Sequence, residues 1–77
     1  MEIQLTLQNT TNMKLRQINE LQRPKPNKKY IADIDLAIAE LHDEIRALGF
    51  EIGYNILVGY YAKKDNITIL RHKVVVR

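Results

Sequence analysis

Arg71, Lys73 and Arg77 occupy odd positions near one end of the chain, and Tyr61 shares their parity. In an extended segment residues two apart point the same way, so this spacing predicts a row of cations on one sheet face. Such a row can follow a phosphate backbone while Tyr61 stacks on a base, and Gly53 and Gly59 leave room for close approach. A second basic group, Lys25, Lys28 and Lys29, sits in the stretch Arg23 to Lys29, which Pro24 and Pro26 make stiff and non-helical. Cations at a sheet edge also discourage aggregation, so the chemistry they offer is attraction for a polyanion or an acidic protein surface rather than one ligand.

Little else in the sequence supports catalysis. His42 and His72 have no second histidine three or four residues away, and no recognised ligand pattern surrounds them. No metal or cofactor is expected. His42 reads as an exposed partner of Arg46 or Glu44, and His72 falls on the apolar face of the C-terminal hairpin. There is no cysteine, hence no disulfide framework and no thiolate nucleophile or ligand. Glycine-rich phosphate loops, nucleophile elbows and shielded carboxylate pairs are lacking as well, which makes an enzyme the less expected reading.

The elements that must carry these residues follow from periodicity. Between Tyr30 and Leu48 the residues Ile31, Ile34, Ile38, Leu41, Ile45 and Leu48 recur at spacings of three and four, one stripe of an amphipathic helix. Asn27 is a candidate N-cap, but Lys28 and Lys29 would oppose the positive end of the dipole, and Asp33 and Asp35 put the regular start nearer Tyr30; Gly49 reads as a C-cap, with Phe50 expected to fold back on Ile45. On the opposite side Ala32, Leu36 and Ala39 form a second apolar strip, which predicts a homodimer interface or a covering element. Glu2 to Gln8 alternates strictly, with Ile3, Leu5 and Leu7 on one side, and reads as a half-buried strand. Asn9 to Asn12 then acts as a turn and cap before a short helix holding Leu15, Ile18 and Leu21, with a second strand from Thr11 to Gln22 as the alternative.

Phe50 to Tyr60 carries apolar residues at every even position and reads as one strand. A three-residue loop, Lys64 to Asn66, would pair Tyr60 with Leu70 and Val58 with His72 and bring Arg71, Lys73 and Arg77 onto a common face with Tyr61. The expected fold is therefore α+β in the order β-α-α-β-β, a long amphipathic helix packed on a small antiparallel sheet. One domain spans residues 1–77, with residues 23–29 as a basic connector. At 77 residues the core is small, which favours dimerisation. Residues 31–48 hold five acids against Arg46, leaving eleven bases and four acids elsewhere. No signal peptide or membrane span is evident, so a cytoplasmic protein without membrane contact is expected.

Two resemblances accompany this reading. The order strand, helix, proline-broken connector, helix over residues 2–48 resembles ribbon-helix-helix repressors, which implies base reading by Gln4, Thr6 and Gln8, with Asn27, Lys28 and Lys29 where their second helix is capped. The whole chain, ending GYNILVGYYAKKDNITILRHK, is similar to small bacterial toxins that cleave mRNA on the ribosome, which implies a role for Arg71, His72 or Lys73. The function expected from the residues is a small non-catalytic regulator contacting nucleic acid through a basic sheet face. The alternatives are a protein-binding inhibitor or adaptor of the kind phages and mobile elements encode, and the mRNA endonuclease.

Overall fold

A computed structural model describes residues 2–77. Two helices, α1 (Ile3–Leu21) and α2 (Lys28–Arg46), form a hairpin followed by β1 (Glu51–Asn55), β2 (Gly59–Lys64), β3 (Ile67–Ile69) and β4 (Val74–Val76). The strands make one antiparallel meander in the order β1-β2-β3-β4, and the helices pack on it, an α+β architecture. The order is α-α-β-β-β-β, and α2, at 19 residues, is no longer than α1.

The expected N-terminal strand is helical. Ile3 and Leu7 are separated by one helical turn as well as by two strand steps, so the alternation of Ile3, Leu5 and Leu7 is compatible with both periods. Helix wins because Leu7 then reaches full burial against Ile45 and Ala62, at the cost of leaving Leu5 exposed. Asn9 to Asn12 does not break the helix. Thr10 returns its hydroxyl to the Thr6 carbonyl at 3.0 Å, four residues back, so a turn-forming side chain is absorbed within the helix. Gln4, Thr6 and Gln8 therefore lie on α1: Gln4 Nε2 donates to the Leu70 carbonyl and Thr6 Oγ1 to that of Glu2. The leading strand implied by both resemblances is absent among the described residues.

α2 starts at Lys28 rather than Tyr30 and stops at Arg46 rather than Leu48. Asn27 Oδ1 accepts from the Tyr30 amide at 3.1 Å, capping the first turn, and Lys29 pairs with Asp33 at 3.2 Å, which offsets cations at the positive end of the dipole. α2 closes at Ala47, the Leu48 and Gly49 amides donate back to the Ile45 and Arg46 carbonyls, and Gly49, left-handed at φ +94°, then turns the chain out of the helix so that Phe50 packs on the cluster containing Ile45. The stripe on α2 faces α1 more than the sheet. Ile34 and Ile38 are buried along the hairpin, whereas only the C-terminal end reaches the strands, through Ile45 and His42.

Phe50 to Tyr60 is not one strand. Asn55 Oδ1 accepts the Leu57 amide at 2.8 Å and Gly59 adopts φ +78°, folding the run into a hairpin whose tip exposes Ile56 and Leu57 at 89% and 85%. Tyr54 pairs with Tyr60 and Ile52 with Ala62. The next turn has two residues, Asp65 and Asn66, rather than three, with Asp65 left-handed at φ +52°. Ala62 therefore opposes Ile69, and the expected pairs Tyr60 with Leu70 and Val58 with His72 do not form. The one-residue change in register reverses which side chains share a face across the β2–β3 pair.

Candidate nucleic-acid interface

Alternation along the observed register sorts the sheet into two faces. Ile52, Tyr54, Tyr60, Ala62, Ile67, Ile69, Val74 and Val76 share the helix side, marked by Ala62 at full burial against Leu7 and Ile45. Glu51, Gly53, Tyr61, Lys63, Thr68 and Val75 share the outer side, and Lys73 and Arg77 continue its parity beyond the ends of β4.

Tyr61 stands opposite Gly53. A Cβ placed on Gly53 would overlap Cζ, Oη and Cε2 of Tyr61, three atoms that one point can meet in this way only from above the ring plane. The hydroxyl end of the ring thus covers Gly53 and turns one face to it. Beside it a shallow concavity is lined by Tyr61, Lys63, Asp65, Asn66, Thr68 and Arg77. Arg77 is held there by its own backbone, whose amide donates to the Asn66 carbonyl at 3.0 Å and whose carbonyl accepts from the Asn66 side chain.

The expected cationic row is only partly assembled. Tyr61, Lys73 and Arg77 fall on the outer side, but Arg71 does not join them. It lies in the bend between β3 and β4, and its Nε donates to the Val58 carbonyl at 2.8 Å, tying that bend to the β1–β2 hairpin. Lys63 joins the face, although sequence reasoning passed over it; its shared parity with Tyr61 is the signal that points to it. The basic connector is elsewhere and shorter than residues 23–29, because Lys28 and Lys29 form the first turn of α2 behind the Asn27 cap. Thr11 of α1 meets the sheet at Tyr60, and Gln22 lies eleven residues further along the axis, about 16 Å away at 1.5 Å per residue. Lys25, Lys28 and Lys29 are exposed at that remote end of a molecule 45 Å long.

That remote end has its own polar cluster, which the sequence did not announce. Glu20 is nearly buried, accepts the Asn27 amide at 2.9 Å and pairs with Arg23 at 3.2 Å; these bonds, the amide foremost, hold its carboxyl below its ordinary range against the opposing effect of burial. Gln17, also buried, donates to the Ile31 carbonyl and to Asp35 while accepting from Lys14, so it joins the helices across the hairpin.

His42 departs from expectation. It is buried, not an exposed partner of Arg46: its Nε2 lies 2.9 Å from Thr10 Oγ1 and its ring meets Tyr60 edge-on at 4.5 Å. Burial, with a contribution from the Arg46 charge and opposition from Asp43, lowers its pKa to about 4. His72, expected on the apolar hairpin face, is exposed in the bend before β4. Among the described residues no group of three His, Cys, Asp or Glu side chains is placed to hold a metal ion, and no helix is long and apolar enough to cross a membrane.

Ala32, Leu36 and Ala39 are exposed along the outer side of α2, with Leu36 61% accessible, because α1 packs on the opposite stripe. Comparison with protein-family models, curated proteins and solved structures returns no match for this chain.

Proposed function

We propose that this chain is a small regulatory binding protein that takes single-stranded nucleic acid on the outer face of its sheet. The observation that carries the reading is Tyr61, the hydroxyl end of its ring covering Gly53, beside Lys63 and Arg77. A base stacks on the other ring face without sequence preference, and the flanking cations meet the phosphates on either side. Lys73 extends the charged track, while Arg71, bonded to Val58, supports it from beneath the β3–β4 bend. Lys25, Lys28 and Lys29 form a separate basic surface suited to a further length of the same polyanion. A second copy of the chain docked on Ala32, Leu36 and Ala39 would double the binding face.

The test is titration of fluorescent oligouridylate and oligothymidylate across a salt series. Binding should weaken linearly with log salt, and replacing Lys63, Lys73 and Arg77 together by Gln should reduce the slope by about two units, at about 0.7 per phosphate on a single strand. Tyr61→Leu should weaken binding by about tenfold while Tyr61→Phe retains it. Absence of binding by the folded wild type at low salt overturns the reading.

A further inference from the structure

β4 stands last in the strand order, and among the described residues no strand pairs with its outward edge. The register states which backbone groups that edge offers. Leu70 N donates to the Lys73 carbonyl and Arg77 N to the Asn66 carbonyl, so residues 73, 75 and 77 direct their backbone groups towards β3. By alternation the amides and carbonyls of Val74 and Val76 point away from the sheet. Their side chains lie on the helix side, where the helices cover β1 and β2 but leave Val74 and Val76 exposed at 51% and 66%. The run Val74-Val75-Val76 has no inward charge, proline or bulge, and its protection against pairing with its own kind is its three-residue length and the cations that flank it. Charge is confined to Lys73 and Arg77, which bracket the run on the opposite face.

We propose that the β4 edge docks an extended segment of an acidic partner protein, adding a fifth strand to the sheet. An antiparallel segment bonded to Val74 and Val76 places apolar side chains beside those two valines, and its residues opposite Lys73 and Arg77 are acidic. The pattern read by the edge is acid, apolar, any, apolar, acid. A second copy of β4 fits poorly. The self-pairing that engages Val74 and Val76 on both copies centres on Val75 and sets Lys73 against the other copy's Arg77 twice, at directly opposed positions. The edge thus repels its own kind while its backbone groups stay available to a segment of opposite charge. Nucleic acid cannot supply the alternating amide and carbonyl groups this edge requires. The proposal stands apart from stacking on Tyr61.

The test uses a synthetic peptide, Glu-Val-Thr-Val-Glu with blocked ends, titrated into isotopically labelled full chain and followed by amide shifts. Saturable shifts should centre on the Val74 and Val76 amides, and a Lys-Val-Thr-Val-Lys peptide should bind at least about tenfold more weakly. Val76→Pro removes one outward donor without touching the β3 ladder, and should reduce acidic-peptide affinity by about tenfold. The double variant Lys73→Glu, Arg77→Glu should reverse the preference between the two peptides. Tyr61→Leu should leave peptide binding unchanged, which separates this proposal from the nucleic-acid reading. Failure of the acidic peptide to shift Val74 or Val76 at millimolar concentration, equal binding by the two peptides, or no effect of Val76→Pro in a folded variant each overturns it. Concentration-dependent shifts confined to β4 without peptide would identify the occupant as a second copy and overturn it equally.

Discussion

Thr10 Oγ1 and His42 Nε2 lie 2.9 Å apart inside the packed end of the molecule, joining α1 to α2 below Tyr60. Thr10 Oγ1 is also 3.0 Å from the Thr6 carbonyl oxygen, which can only accept. The single hydroxyl proton serves either that carbonyl, with Nε2–H donating to Thr10, or Nε2 itself, so the ring's tautomer sets the direction of the bond. Neutral imidazole is the form this site holds.

Stability should therefore fall on mild acidification. The folded pKa of His42, about 4, lies below the unfolded value near 6.5, so between these values the unfolded chain binds the extra proton. The contribution is fully present above pH 6.5 and is lost as pH falls towards 4, for a total of no more than about 3 kcal/mol. Urea unfolding at pH 7 and pH 4.5 should show this loss in the wild type, and His42→Gln should show a smaller one. Equal acid sensitivity in both proteins would count against it.

Gly59→Ala should destabilise the fold by about 2 kcal/mol or more. The position has φ +78°, where an L side chain is strained, and an added methyl would collide with the Thr11 side chain, whose Oγ1 receives the Tyr60 amide at 3.0 Å. Thr11→Ala relieves the clash but leaves that amide without its partner, so the double variant should recover only part of the loss. Denaturant midpoints of the two single variants and the double variant measure this directly.

Gly53→Ala should displace Tyr61 without unfolding the chain. Because the added methyl enters the space of the ring face, the ring must swing off the sheet. Oligonucleotide affinity should fall about as far as in Tyr61→Leu, and near-ultraviolet dichroism should change while the far-ultraviolet spectrum does not. Retention of full affinity would separate stacking from binding.

Leu36→Glu bears on self-association through α2. At 61% exposure the substitution costs the monomer little, within about 0.5 kcal/mol. If the strip formed by Ala32, Leu36 and Ala39 docks a second copy, sedimentation should show a wild-type dimer and a monomeric variant of unchanged unfolding midpoint. A monomeric wild type at tens of micromolar removes the interface.

The sequence by itself determined that α2 is a helix and the neighbourhood in which it starts and stops. Asn27, the stripe from Ile31 to Ile45, and Gly49 act through bonds and contacts within a few residues, so their outcome hardly depends on the rest of the molecule. Proline-broken Arg23 to Asn27 separates the helices for the same local reason. Tyr61 and Arg77 came to the outer face as their parity suggested, but the register that carries them there was decided by tertiary structure. A turn of two residues or three differs by little in local energy, and it is burial of Ala62 and Ile69 against Leu7 and Ile45 that selects between them. The same competition turned the N-terminal alternation into helix, since Leu7 gains full burial only when α1 lies across β2. It drew His42 inward, because Thr10 meets it only once the two helices pack. Arg71 left the cationic row for a similar reason: its partner, the Val58 carbonyl, exists where it does only after Asn55 and Gly59 have folded the preceding strand in two. Signals carried within a turn survive in any context, whereas a face shared by several strands is defined only by what the core buries on the other side.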